Sequence, residues 1–352
     1  MFFCDNKFME IPERYLEIDS VMQNIYKRDW LITFFQTDKV CTYDPFLYLK
    51  SKYLYGTQYK MVIDRNIFQY VINSTRRAIS TKDYRDAIGL LIFANIAEIE
   101  IEPNLAIYEK INYYHKNVDE AINELQDFYN IDNTNIEVLL NYVLEKTDKV
   151  NITYNKNIDK ILLSKQLCKY ERLAKWDAFY LFVLKMVSIY QDEQKNKFQR
   201  FVEWMSKEYI FSNIVLIYSI VLFFTPKSKM IKYKNKSTQT EKLQQIRNMT
   251  WDLYIMDQYL RVCLEKHSDE EVIFASNDKV VQYVLQLSIQ VNLNENFAII
   301  ENFVSEKDYQ TIQKMLNARK NNVDRVCDTA EWSREYCQDL IKSLEKELIY
   351  DL

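Results

Sequence analysis

Tyr59-Lys60-Met61-Val62-Ile63-Asp64-Arg65-Asn66-Ile67-Phe68-Gln69-Tyr70-Val71-Ile72 decides the fold. Its first half is a short apolar run that stops at an aspartate. Its second half repeats apolar residues at helical spacing, so the stretch predicts a buried strand running into a helix. Asp64 then falls at the carboxyl end of the strand, where open α/β sheets hold their ligands.

Downstream, Ser80-Thr81 with Asp83 offers a helix start, and Ala87, Leu90, Leu91, Phe93 and Ala94 carry that helix to about Ala97. Ile96 to Ile101 alternates as a second strand, and Pro103 opens another helix bearing Leu105, Tyr108, Glu109 and Ile111. Residues 111–211 read as helical throughout. Strand character returns at Glu271-Val272-Ile273-Phe274-Ala275, ahead of Ser276-Asn277-Asp278 and a further helix from Val280, and Val291 to Ile300 offers one more short strand. The expected organisation is an N-terminal elaboration over 1–57 and an α/β core over 58–110 and 212–300. A helical insertion over 111–211 and C-terminal helices over 301–352 complete it. The core sheet is expected to be small and parallel.

Composition narrows the alternatives. A chain of 352 residues that is 48% hydrophobic can bury one or two cores. With two glycines and four prolines it lacks the material for an all-β fold. Gly56 and Gly89 stand too far apart for a phosphate-wrapping loop. Two histidines, His115 and His267, disfavour His-centred catalysis and read as surface residues. Cys4, Cys41, Cys168, Cys263, Cys327 and Cys337 form no C-x-x-C pair, and the N-terminus lacks the form of a signal peptide. Both point to reduced thiols and a cytoplasmic protein. Tyr209 to Phe224 is apolar but too short to span a bilayer, so a buried core helix is expected and no membrane association.

Carboxylates remain as the candidates for chemistry. Asp64 and Asp278 follow strands, Glu109 stands in an early helical turn, and Asp252 lies inside a long helix. Gathered at one sheet edge, such acids would repel one another unless cations sat among them, and hard divalent ions take oxygen ligands. Two such ions can drive an in-line phosphodiester displacement. A helix cap or turn former is the plain alternative for Asp64 and Asp278, and a solvated helix residue for Asp252.

These segments resemble the PIN-domain nucleases. Met61-Val62-Ile63-Asp64-Arg65-Asn66 is similar to the family's opening strand and aspartate, and Glu102-Pro103-Asn104-Leu105-Ala106-Ile107-Tyr108-Glu109 to its second acidic segment. Trp251-Asp252-Leu253-Tyr254-Ile255-Met256 is similar to the third, and Val272 to Lys279, with Ser276-Asn277-Asp278, to the last. The resemblance covers about residues 58–110 and 212–300. It implies a magnesium- or manganese-dependent nuclease, with RNA favoured over DNA. Asp64, Asp252 and Asp278 would be catalytic, and Asp64, Glu109, Asp252 and Asp278 would bind metal. Glu98, Glu100 or Glu102 could stand in for Glu109, and Asp257 could serve in place of Asp252 or beside it.

The chain carries a net charge of −4, yet Pro226 to Arg247 holds seven cations against Glu241 alone. A mobile loop guiding nucleic acid through Lys232, Lys234 and Lys236 is expected there, with a solvated linker as the alternative. The rival function is a non-catalytic PIN-like interaction protein whose helical insertion binds a protein partner. A regulatory partner and homo-oligomerisation both remain open.

Overall fold

The computed structural model describes residues 13–35, 38–114, 118–155, 157–168, 175–227, 229–265, 269–293, 297–319 and 334–350. The chain divides into two compact units, one of residues 1–111, 116–168 and 266–277, the other of residues 112–115, 169–265 and 278–352. This division differs from the expected one. Residues 116–168 of the supposed insertion belong with the sheet, and most of 212–300 does not.

The first unit contains α1 (Glu13–Arg28), β1 (Leu31–Thr33), α2 (Lys39–Thr42), α3 (Pro45–Tyr55), β2 (Gln58–Ile63), α4 (Arg65–Arg76) and α5 (Lys82–Ile96). It continues through β3 (Glu100–Glu102), α6 (Asn104–Tyr114, to residue 111), α7 (Val118–Asp132), α8 (Ile136–Val143), α9 (Lys160–Cys168) and β4 (Glu270–Ala275). The strands form one sheet in the order β1-β4-β2-β3. β2 is parallel to both neighbours, with Met61 opposite Ile273 and Ile101. β1 runs antiparallel to β4, Leu31 facing Ala275. The sheet is therefore mixed rather than all-parallel, because the N-terminal region supplies an edge strand.

Local chemistry explains the elements. Met61 and Ile63 are buried, and the change to helical spacing at Ile67, Phe68, Val71 and Ile72 places those four in the same core. Thr81 caps α5, which is buried from Asp86 to Ala94. That helix consumes the first residues of the expected second strand, so β3 is confined to Glu100–Glu102, after Glu98 turns the chain at φ 52°. α7 and α8 bury Ile122, Leu125, Phe128, Leu139 and Leu140 in the core that also holds Phe68 and Phe93.

The second unit is helical: α10 (Trp176–Gln191), α11 (Lys197–Lys207), α12 (Asn213–Phe224), α13 (Gln239–Leu264), α14 (Lys279–Leu293), α15 (Glu306–Arg319) and α16 (Arg334–Glu345). A 3-10 turn spans Phe297–Asn302 where a strand was expected, since α14 carries the helical period on to Leu293. α12 is buried from Ile214 to Leu222, as expected of a core helix. Among the described residues, no helix is long and apolar enough to cross a membrane. α10 packs against α13 and α16, and α12 against α14. Within residues 111–211, the apolar faces of α7 and α8 pack over the sheet unit's core, and those of α10 and α11 are buried in the second unit.

Candidate functional site

The parallel pairing of β2 and β4 brings their carboxyl ends side by side: the Asp64 amide donates to the Ala275 carbonyl at 3.0 Å, extending the ladder by one step. Asp64 is 7% exposed. One of its carboxylate oxygens accepts from the Ile67 amide at 2.8 Å, which caps α4. The other accepts from the Ser276 hydroxyl at 2.5 Å. Ser276 is itself buried, and its amide donates to the Trp30 carbonyl, tying β4 to the chain entering β1. Asn277 donates to the Tyr70 hydroxyl at 2.8 Å. Burial, with the Asp83 charge second, pushes the Tyr70 phenol up. Asp64 and Ser276 therefore form a buried polar clasp between two strand ends, and the motif residues at this edge make the sheet's own connections.

The other predicted acids belong to the second unit, except Glu109. Asp278 accepts from the Val280 and Val281 amides at 2.8 and 3.3 Å, capping α14. Asp252, on α13, is ion-paired with Lys232 at 2.5 Å. Burial pushes the Asp252 carboxyl up, Lys232 pulls it down, and the Asp278 charge adds to the rise. Tyr218 beside them is fully buried. Its hydroxyl donates to the Met230 carbonyl at 3.2 Å, and burial, reinforced by Asp252 and Asp278, holds the phenol well above its usual range.

Asp257 pairs with Arg261 one turn along α13. Glu109 is half-buried on α6. Of its potential substitutes, Glu98 is held by Lys52 and by the Tyr53 hydroxyl, Glu102 accepts from Asn104, and Glu100 is exposed. Neither unit, among its described residues, brings three or more His, Cys, Asp or Glu side chains together to hold a metal ion. Of the four acids that the resemblance assigns to one centre, Asp64 and Glu109 belong to the first unit and Asp252 and Asp278 to the second. His115 and His267 lie outside the described residues, as do Cys4 and Cys327. Cys41, Cys263 and Cys337 are free thiols.

The basic segment is fastened down rather than loose. Met230 and Tyr233 are buried, the Tyr233 hydroxyl donates to the Leu348 carbonyl at 2.6 Å, and Asn235 donates to Gln191. Lys242 is 2% exposed and reaches the same Leu348 carbonyl at 3.3 Å. Thr238 and Glu241 form a capping box that starts α13. Of the three lysines expected to meet phosphate, Lys232 is engaged with Asp252, while Lys234 and Lys236 are exposed.

Sequence reasoning overlooked a buried charge cluster in the first unit. Lys110, 1% exposed, lies 2.7 Å from Glu124 and 3.0 Å from Glu120. Arg65 pairs with the same Glu124 at 2.7 Å, joining α4, α6 and α7. The signal was present: Ala106, Ile107 and Lys110 share one face of α6 at helical spacing.

Comparisons of the chain with protein-family models, with curated proteins and with solved structures yield no match.

Proposed function

We propose that this chain is a non-catalytic interaction protein, an α/β scaffold whose acidic residues serve its own fold and whose 111–211 region offers apolar side chains to a protein partner. The observation that carries this reading is the engagement of the motif carboxylates: Asp64 in a helix cap and a bond to Ser276, Asp278 in a helix cap, Asp252 in an ion pair. Its partner-binding half is supported by Ile152, Tyr154, Ile161 and Leu162, which are exposed within the part of that region belonging to the sheet unit. Aromatic side chains such as Tyr154 are enriched at protein contacts, whose buried centre is apolar. A PIN-like ancestry of the scaffold is supported by the parallel strands β2, β3 and β4 and by the aspartate that follows β2.

A metal-dependent nuclease, acting on RNA ahead of DNA, is the second reading. One observation favours it: Asp64 and Ser276 occupy the carboxyl edge of parallel strands, where α/β sheets bind ligands. Labelled RNA and DNA incubated with the protein, in manganese or in chelator, separate the two. The interaction reading expects equal, background-level cleavage in both. Manganese-dependent cleavage that disappears in Asp64→Asn and Asp278→Asn would overturn it.

A further inference from the structure

α3 turns two unlike faces outward and inward. Pro45 and Tyr48 are buried, and Tyr48 packs edge-on against Tyr59 of β2 and Phe93 of α5. The opposite face carries Phe46, 66% exposed, Leu47, Tyr53, 70% exposed, and Leu54, 64% exposed. Lys50 lies at the middle of that face, three or four residues from each of the four apolar side chains, so all five share one stripe. Lys50 is exposed and makes no hydrogen bond or ion pair among the described residues. The stripe is also held in shape. Asp44 caps the helix, Gly56 ends it in the left-handed conformation, and the Tyr53 hydroxyl donates to Glu98, which Lys52 also pairs.

We propose that the exposed face of α3 is a docking surface for an amphipathic helical segment of another protein, one that presents an aspartate or glutamate between apolar residues. Charge complementarity selects this occupant. A partner that covers the stripe must also cover the Lys50 ammonium, and burying a cation without a counter-charge is costly. A second copy of this chain is a poor fit, because Lys50 is the central residue of Pro45–Tyr55 and a two-fold helix pair would set Lys50 against Lys50. A lipid surface fits no better, since interfacial helices keep their lysines on the polar face and here Lys50 sits inside the apolar one. A helix laid along a preformed stripe can set an acid between its apolar anchors and so fits the charge.

This inference rests on reading the chain as an interaction protein, but it names a different surface from residues 152–162. The test is to pan a displayed library of helical peptides, with randomised outward positions, on the full-length protein. Enriched peptides are expected to carry an acid flanked by apolar residues at three- and four-residue spacing. Their affinity should fall about tenfold in Lys50→Glu and in the double variant Phe46→Ala with Leu54→Ala, all of which alter exposed side chains. Replacing the peptide's acid by lysine should restore binding to Lys50→Glu. The inference is overturned by an absence of enriched peptides, by peptides without an acid, or by binding indifferent to Lys50→Glu. Sensitivity to Ile161→Ser with Leu162→Ser instead of the α3 changes would also overturn it, while leaving the interaction reading intact. Flotation with anionic vesicles, or dimerisation in sedimentation, that the α3 double variant abolishes would likewise replace this occupant by lipid or by a second copy.

Discussion

Replacing Asp64 separates a structural aspartate from a metal ligand by the sign of the stability change. In Asp64→Ala, α4 loses the cap on the Ile67 amide, a loss of about 1 kcal/mol. The Ser276 hydroxyl, buried with its residue 1% exposed, loses its acceptor, at about 1–3 kcal/mol. The sum is a destabilisation of about 2–4 kcal/mol. Asp64→Asn keeps an oxygen for the Ile67 amide and forces the Ser276 hydroxyl to turn and accept from the new amide, so it should cost about 1 kcal/mol. Urea unfolding in chelator gives the ordering wild type, Asn, Ala. Exchange of the Ile67 amide proton, read by NMR, locates the loss at the start of α4. A carboxylate held in a mutually repelling acidic cluster behaves oppositely, because deleting it relieves repulsion in the metal-free protein. Equal or greater stability of Asp64→Ala over wild type would refute the reasoning.

Three further outcomes follow from the same contacts. Glu124→Ala takes from buried Lys110 the nearer and buried one of its two anions, and takes Glu124 from Arg65, and should cost about 3–5 kcal/mol by urea unfolding, whereas Glu120→Ala, at a half-exposed position, should cost under about 1 kcal/mol. Lys232→Met removes the group that pulls the raised Asp252 carboxyl down, so the folded-state value rises further. An acid raised on folding contributes stability below its unfolded value that is lost as pH rises through the folded one. The variant should therefore match wild type most closely near pH 4 and fall furthest behind near pH 8 in thermal unfolding. A Ser276→Ala and Asp64→Ala double-mutant cycle should return a coupling of about 0.5–3 kcal/mol, and additivity would deny the clasp.

The sheet's centre is legible because its signals are local. A continuous apolar run that changes to helical spacing identifies β2 and α4, the run at Val272 to Ala275 identifies β4, and the apolar run from Ile214 to Phe224 identifies α12. β1 is not legible, since Leu31–Thr33 is three residues long and is defined by pairing with a strand some 240 residues away. The apparent strand from Ile96 misleads because alternation over six residues also fits the last turn of a helix followed by a reversal at Glu98.

The site follows the same division. That Asp64 follows β2 and that Asp278 begins a helix can be read from sequence. That Ser276 closes on Asp64 depends on the register of β2 against β4, 212 residues apart, and no local pattern encodes it. Lys232 reads as a free phosphate ligand in a polar lysine-rich stretch. Only the burial of Met230 and Tyr233 beside it reveals that the segment is anchored and its lysine turned to Asp252.

The central claim is that these carboxylates hold the protein together rather than a metal. Titration of manganese into the wild-type protein, followed by the loss of its free-ion electron paramagnetic resonance signal, tests it most directly. The account predicts no stoichiometric uptake below about millimolar manganese, the range of weak surface carboxylate contacts, and no difference between wild type, Asp64→Asn and Asp278→Asn. Uptake of one or two ions per chain at micromolar concentration, lost in both variants, would contradict it.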